Sequence, residues 1–253
     1  MALPCTREGE EEASLSPGAS HIANRFLARL PDADREALFP RLRSLELVQH
    51  TVLHEVGEPF KDIWFPHSGI VSLVVDLASG EMIEAGTVGR EGVVGAGAAF
   101  VGTVPVSRAV VQIGGTASAI AADEFRTLVD RSPELRNQLF VCEDFLLAQA
   151  QQCAACNATH PVERRLARWL LRCRDVAYCD EIALTHEFVA EMLGVRRSSV
   201  TIVTTTLQRA GLIECRRGRI RLLDMDGLRA SACECYEAIN DVSERLLGYR
   251  PRG

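Results

Sequence analysis

Two pairs of cysteines have a spacing that could support chemistry. Cys153 and Cys156 stand three residues apart, so on a helix their thiols share a face and could form a redox couple or bind a metal. In a parallel dimer four such sulfurs would meet, which allows a thiol switch or a four-thiolate metal site across the dimer axis. The alternative is that both are small apolar residues of a packed helix. Cys233 and Cys235 have no third and fourth ligand nearby in the sequence, so we predict a structural role for them.

The sequence contains none of the motifs of common enzyme classes that we sought. There is no phosphate-binding glycine loop with a lysine, no Gly-x-Ser-x-Gly elbow and no His-Glu-x-x-His helix. The six histidines form no close pair except His50 and His54, which we interpret as surface residues. We therefore predict that the protein is not an enzyme. Apart from the thiol pair, we identify no metal site and no certain cofactor.

A second group of residues is suited to contacting nucleic acid. The formal charge of the whole chain is −6, yet residues 161–223 hold twelve arginines and seven acids, so positive charge is concentrated there. Arginine can donate two hydrogen bonds to guanine, and serine or threonine can meet phosphates, base edges or the thymine methyl. Arg197 is the residue that we expect to contact a base. The predicted DNA-binding residues are Thr185, His186, Arg196, Arg197, Ser198, Ser199, Thr201, Arg216 and Arg217.

The elements that would position these residues are two helices and a hairpin. Thr185 can cap a helix with an apolar face, Gly194 permits a tight turn, and a second helix follows from Arg196 to about Ala210. Its buried face would be Val200, Val203 and Leu207, and its exposed face Arg197, Ser198, Thr201, Thr204 and Thr205. Two short strands around Arg216-Arg217-Gly218-Arg219 predict a wing with a cationic tip. The alternative is an ordinary amphipathic helix pair whose outer face only meets solvent.

The N-terminal half has a different pattern. Residues 1–20 are polar and aperiodic and predict a flexible tail, and two short helices, Ile22 to Leu30 and Asp34 to Leu42, follow. Short apolar runs separated by glycine then predict a small β-barrel or jelly roll. The predicted strands are Ile70 to Val75, Met82 to Val88, Gly92 to Gly97, Ala109 to Ile113 and Ala117 to Ile120.

A long helix connects the two halves. Ser132-Pro133 is a good helix start, and residues at alternating steps of four and three then form a seam with a period of 3.5. We interpret it as a dimerisation helix; the alternative is a helix packed on its own barrel. Asn157 to Pro161 predicts a hinge before a further helix from Val162 to about Cys173. The seam residues are Leu135, Leu139, Cys142, Leu146, Gln149, Cys153 and Cys156.

The segment from Leu184 to Thr201, followed by Leu207 to Ile213, resembles the winged helix of the Crp/Fnr family of bacterial transcription regulators. The order of parts also resembles that family. The resemblance implies an α+β fold with an N-terminal β-barrel or jelly roll of the cyclic-nucleotide-binding type, a long dimerisation helix and a C-terminal winged helix-turn-helix. The expected divisions are a tail (1–20), a sensor domain (21–131), a dimerisation helix and hinge (132–157), a DNA-binding domain (158–240) and a C-terminal tail (241–253).

The sequence departs from the family in both sites. The family often has serine, arginine and glutamate where this chain has Arg196, Arg197 and Ser198, so base preference should differ. In members that bind cyclic nucleotides, a Gly-Glu pair binds the ribose and an Arg followed by a small residue binds the phosphate. Ala96 here replaces that glutamate, so cyclic AMP is not expected, and another small effector or none is predicted. The effector-binding residues that the resemblance implies are Gly95, Ser107, Arg108 and Ala109.

The sequence as a whole predicts a homodimeric, sequence-specific regulator of transcription. Its expected partners are double-stranded DNA, a second copy of the chain and RNA polymerase. No apolar run is long enough to cross a membrane and no signal peptide is evident, so a cytoplasmic location without membrane attachment is expected. The alternative is a signalling module that binds a small effector and acts through protein contacts without DNA.

Overall fold

The computed structural model describes residues 21–100 and 103–251, so the predicted N-terminal tail (1–20) lies outside the described residues. The chain divides into two compact units. The first comprises, among described residues, 21–73 and 88–144; the second comprises 74–87 and 145–251. The α+β fold class is confirmed. Within the described residues, no helix is both long and apolar enough to cross a membrane.

The first unit is built on short antiparallel strands covered by helices. Its strands order as β1-β7-β3 in one sheet and as β2-β6-β4 in the other, and β4 continues into the second unit. In chain order, and with β5 and the end of α4 belonging to the second unit, the elements up to residue 159 are α1 (Arg25–Arg29), α2 (Asp32–Leu38), a 3-10 turn (Phe39–Arg41), β1 (Arg43–Leu47), β2 (Val52–His54), β3 (Asp62–Pro66), β4 (Ile70–Asp76), β5 (Met82–Val88), a 3-10 turn (Ala96–Ala99), β6 (Arg108–Ile113), β7 (Gly115–Ala121), α3 (Ala122–Arg131) and α4 (Pro133–Thr159).

The core of the first unit lies between the β1-β7-β3 sheet and the helices. Phe65 stacks on Phe26 and meets Phe125 edge to face, with ring centroids 5.8 and 5.7 Å apart. Asn24 caps α1 and its amide also donates to the carbonyls of Pro66 and Gly92, each at 2.9 Å. A single buried amide thus ties the first helix to two loops of the β-domain.

The second unit contains the β4–β5 hairpin, the end of α4 and the C-terminal elements. Three short strands form a sheet in the order β8-β10-β9. The elements are α5 (Val162–Ala177), β8 (Glu181–Ile182), α6 (His186–Leu193), α7 (Arg197–Arg209), β9 (Ile213–Arg216), β10 (Arg219–Leu222), α8 (Met225–Ser231) and α9 (Cys235–Leu247).

The β4–β5 hairpin packs against the helices of the second unit. The indole Nε1 of Trp169 donates to Glu84 at 2.9 Å, and both side chains are buried. The side-chain amide of Gln149 bonds the backbone N–H and carbonyl of Thr87, each at 3.2 Å. Satisfied polar groups therefore anchor β5 to α4 and α5 inside this unit.

Several predicted boundaries are wrong. Gly92 to Gly97 is not a strand, since Val94 makes only an isolated bridge with Trp64 and a 3-10 turn begins at Ala96. The first helix starts at Arg25, three residues later than predicted, because Asn24 supplies its cap. α9 runs to Leu247, where Gly248 ends it at φ 59°, so the predicted boundary at 240 falls inside a helix.

The predicted seam of α4 faces its own chain. The Ser132 cap is confirmed, because its hydroxyl accepts from the N–H of Leu135 at 3.0 Å. Leu135, Leu139 and Cys142 belong to the core of the first unit, and Gln149 and Cys156 are buried in the second. For these five residues the alternative of a helix packed within its own chain holds, so they are covered by their own chain. The two other seam residues, Leu146 and Cys153, are half-buried.

Candidate functional site

The helix-turn-helix forms as the sequence predicts. The Thr185 hydroxyl accepts from the N–H of Phe188 at 3.2 Å and caps α6. Gly194 ends α6 in the left-handed region at φ 60°, and the chain is extended at Arg196 before α7 begins. A Cβ at Gly194 would lie 2.9 Å from Ile83 of the β4–β5 hairpin. The turn thus requires glycine both for its backbone and for the space.

The first turns of α7 present polar side chains. Arg196, Arg197, Ser198 and Thr201 are exposed, while Ser199 is half-buried. Thr204, predicted for the exposed face, is instead buried, and its hydroxyl donates to the carbonyl of Val200 at 2.8 Å. Thr204 lies one helical turn after Val200, so it belongs to the buried face of α7.

The imidazole of His186 joins α6 to α7. Its Nδ1 lies 3.2 Å from the hydroxyl of Thr201, and its Nε2 lies 3.4 Å from that of Thr204. Burial, and secondarily the charge of Arg197, lower the pKa of His186, so the ring is neutral at pH 7. The ring orients Thr201 and adds no charge to the surface.

Arg197 is held loosely. Its Nε lies 3.6 Å from a carboxylate oxygen of Glu187, and both side chains are more than 60% exposed. Such an exposed pair is worth little, so the guanidinium can leave Glu187 for a stronger acceptor. Sequence reasoning missed Glu187, because its position ten residues before Arg197 gave no sign of the contact.

The wing, defined as β9, β10 and their turn, is confirmed. Arg217 and Gly218 form the turn at φ 43° and 77°, as in a tight two-residue hairpin. Arg216 pairs with Glu214 at 2.6 Å and remains exposed. The side chain of Gln208 on α7 accepts from the N–H of Cys215 at 3.0 Å, so the wing is fixed to α7.

Thr185 also lies beside the wing turn. A Cβ built on Gly218 would be 3.9 Å from its methyl group. The N-terminus of α6 is therefore adjacent to the tip of the wing, which carries Arg216 and Arg217. α7 is joined to α6 through His186 and to the wing through Gln208. These links bring the predicted DNA-binding residues into one region.

The predicted effector residues lie in the first unit. Gly95 has φ 83°, and a Cβ there would lie 3.3 Å from Phe60. Phe60 meets His54 edge to face at 5.1 Å, and His54 is paired with Ala109 across the β2–β6 ladder. Ser107 and Arg108 are half-buried where β6 begins, whereas Ala96 is buried and adds no polar group. Burial lowers the pKa of His54 to about 4, so this region gains no charge from it at neutral pH.

Four thiol and imidazole side chains meet in the second unit, and we call them the thiol–imidazole cluster: Cys156, His160, Cys233 and Cys235. Their sulfur and nitrogen atoms all lie within 4.8 Å of one another. Cys233 and Cys235, which have no further ligand nearby in the sequence, therefore meet two candidate ligands in the fold. Cys153 is not a member, and Cys156, which is buried inside its own chain, meets His160, Cys233 and Cys235 instead.

Comparisons with known proteins agree with this architecture. The family model for the cyclic nucleotide-binding domain matches residues 44–132, and that for the Crp-like helix-turn-helix domain matches residues 164–231. No curated protein sequence matches the chain.

Solved structures share the fold at low identity. A Crp/Fnr-family regulator from Eubacterium rectale has a TM-score of 0.66 and 16% identity over 83% of this chain and 98% of its own. A Crp/Fnr-family regulator from Thermus thermophilus gives 0.63 and 24% over 75% and 98%. The c-di-GMP-responsive global regulator CLP of Xanthomonas campestris gives 0.64 and 17% over 77% and 100%.

A β-domain of the cyclic-nucleotide-binding type, a long helix and a Crp-like helix-turn-helix together define a class of transcription regulators. The two family matches span more than half of the chain in that order. The chain belongs to the Crp/Fnr family.

Proposed function

We propose that the protein is a homodimeric regulator of transcription that binds a specific sequence of double-stranded DNA. The observation that carries the proposal is the exposed start of α7, where Arg197, Ser198 and Thr201 lie beside a cationic wing. An α-helix fits the major groove, and its N-terminal residues are the ones that reach base edges in this motif.

Each part of the region has a distinct role in the proposed complex. Arg197 donates two hydrogen bonds to a guanine, and Ser198 and Thr201 contact neighbouring base edges or phosphates. Arg216 and Arg217 in the wing contact the phosphate backbone and set the register. Thr185, His186, Arg196 and Ser199 line the same region and support phosphate contacts or the orientation of their neighbours.

The proposed dimer forms through the outer face of α4, which we define by Phe140, Leu147 and Ala154. These residues repeat every seven positions along one continuous helix, the spacing of a helix pair. Phe140 and Leu147 are 52% and 55% exposed, and Ala154 is exposed. A second copy would cover these apolar side chains and would supply a second α7 for the other half of a two-fold DNA site.

The β-domain is the proposed sensor. A small molecule near Gly95, Ser107, Arg108 and Ala109 is its proposed effector, and cyclic AMP is disfavoured because Ala96 cannot accept from a ribose hydroxyl. On the basis of the family, we also propose that RNA polymerase is a partner of the DNA-bound protein and that the protein is located in the cytoplasm.

Selection from a random library of DNA duplexes tests the DNA-binding part. The wild-type chain should enrich a two-fold related sequence, and Arg197→Ala should abolish or alter that enrichment. Arg245→Ala, which removes another exposed guanidinium from α9, is the matched control and should leave it unchanged. Absence of any enrichment, together with binding that does not weaken as salt is raised, would favour the signalling module that acts without DNA.

A further inference from the structure

We propose that the thiol–imidazole cluster is a structural zinc site that joins the end of α4 to the start of α9. Its donors come from two places in the sequence. Cys156 and His160 lie one helical turn apart, and the N–H of His160 still donates to the carbonyl of Cys156 at 3.0 Å. Cys233 and Cys235 flank Glu234 where α9 begins. The proposal concerns only the second unit and does not depend on DNA binding.

Two of the six donor-to-donor distances match those around one tetrahedral ion, and all six are within 4.8 Å. Zinc bound at about 2.3 Å to sulfur and about 2.0 Å to nitrogen holds its ligand atoms about 3.5 to 3.8 Å apart. The sulfurs of Cys156 and Cys233 are 3.5 Å apart, and the sulfur of Cys235 is 3.5 Å from Nδ1 of His160. A centre with two or four irons would spread its cysteines farther apart than this. A donor set of three sulfurs and one imidazole also disfavours magnesium and calcium, which prefer oxygen.

The surroundings support the ligand set. Nε2 of His160 lies 3.1 Å from the carboxylate of Glu234, which leaves Nδ1 as the atom that faces the sulfurs. A carboxylate behind a ligating imidazole is the usual way of fixing its tautomer and orientation. The amide of Gln152 donates to the sulfur of Cys235 at 3.0 Å, as suits a thiolate.

The charge of the loaded site would also be compensated. Three thiolates and one zinc ion have a net charge of −1, and loading would release the three thiol protons to solvent. Arg168, only 8% exposed, lies within electrostatic range of Cys156 and Cys233. Its guanidinium supplies the balancing positive charge without leaving α5.

Metal content and cobalt spectroscopy of the full-length chain test the proposal. Reduced protein purified without added metal should hold about one zinc per chain. Replacement of zinc by Co²⁺ should give the visible bands of a tetrahedral ion and a sulfur-to-cobalt charge-transfer band. Cys156→Ser should lose the metal, whereas Cys153→Ser, three residues earlier on the same helix, is the matched control and should keep it.

Two further variants keep the test decisive if Cys156→Ser does not fold. His160→Cys retains four donors and should strengthen the sulfur-to-cobalt band, and Glu234→Gln should weaken zinc affinity by about 10- to 100-fold. Wild-type protein that holds no metal and gives no tetrahedral cobalt spectrum would overturn the proposal. A Cys156–Cys233 disulfide in freshly purified protein, seen as a loss of two hydrogen masses, would overturn it in favour of a redox pair.

Discussion

Arg197 and Arg217 have the same charge but are proposed to meet different parts of the DNA. A phosphate responds mainly to charge, whereas a guanine edge requires the two-pronged guanidinium. We expect Arg197→Lys to cost about 1 to 3 kcal/mol of discrimination at one base pair of the site. Arg217→Lys should change the affinity for DNA little and should leave the discrimination between bases unchanged at every position of the site. Competition titrations with single-base variants of the selected sequence measure both; equal losses from the two substitutions would contradict the assigned roles.

The histidines His21 and His67 share one hydroxyl in the first unit. The Oγ of Ser118 lies 2.6 Å from Nδ1 of His21 and 2.7 Å from Nε2 of His67, so it donates to one ring and accepts from the other. Burial, with the nearby His21, lowers the pKa of His67 to about 4. Between pH 6.5 and 4 the unfolded chain therefore binds more protons at this residue than the folded chain.

This arrangement predicts acid sensitivity of the first unit. The free energy of unfolding should fall as pH decreases from 6.5 to 4, by up to about 3 kcal/mol from His67. His67→Gln, which can still bond Ser118, should show a shallower slope. Urea titrations at several pH values measure this difference, and parallel slopes for the two proteins would show that His67 does not contribute.

Residues whose role is set by local chemistry were predictable from the sequence. Thr185 as a cap and Gly194 as a turn follow from backbone rules that act within a few residues. The thiol–imidazole cluster was not predictable, because Cys156 and Cys233 are 77 positions apart and meet only through the packing of the second unit. The short spacing of Cys153 and Cys156 suggested that these two thiols act together, whereas Cys156 lies with His160, Cys233 and Cys235.

Helix α4 shows what a repeating pattern can and cannot reveal. The 3.5-residue period correctly identified a buried face, but periodicity does not say what buries it. The chain itself covers Leu135, Leu139 and Cys142, and the outer face lies elsewhere on the helix. The sequence analysis missed four strands: β1, β2, β3 and β8. Of these, β8 has only two residues, too few for any alternation to be visible.

The outer face of α4 yields a prediction about assembly. Leu147→Glu would place a charge where a second copy is proposed to pack, so we expect the dimer to dissociate at micromolar concentration. Val48→Glu, at a residue that is 57% exposed and outside this helix, is the control and should remain dimeric. Sedimentation equilibrium gives the masses. A Leu147→Glu protein with the wild-type dimer mass would exclude this face as the contact.

For the molecule as a whole, the order of parts was predictable and the division between them was not. The expected domains were continuous stretches, 21–131 and 158–240, because sequence patterns do not reveal contacts between residues that are far apart in the chain. The structure instead groups residues 74–87 with the C-terminal elements. The contacts responsible, such as Glu84 with Trp169, join side chains 85 positions apart.

The β4–β5 hairpin therefore has a practical consequence for dissecting the protein. A fragment that begins at residue 158 would lack Glu84, the acceptor for Trp169, and Ile83, which covers the turn at Gly194. It would also contain a single tryptophan, since the other is Trp64. We expect the tryptophan fluorescence emission of this fragment to be red-shifted relative to that of the full-length Trp64→Phe protein, because the indole of Trp169 becomes exposed to solvent. Identical spectra would mean that the C-terminal helices cover Trp169 without the hairpin. A red shift would mean that an intact C-terminal fragment must include Glu84, a residue 85 positions before Trp169.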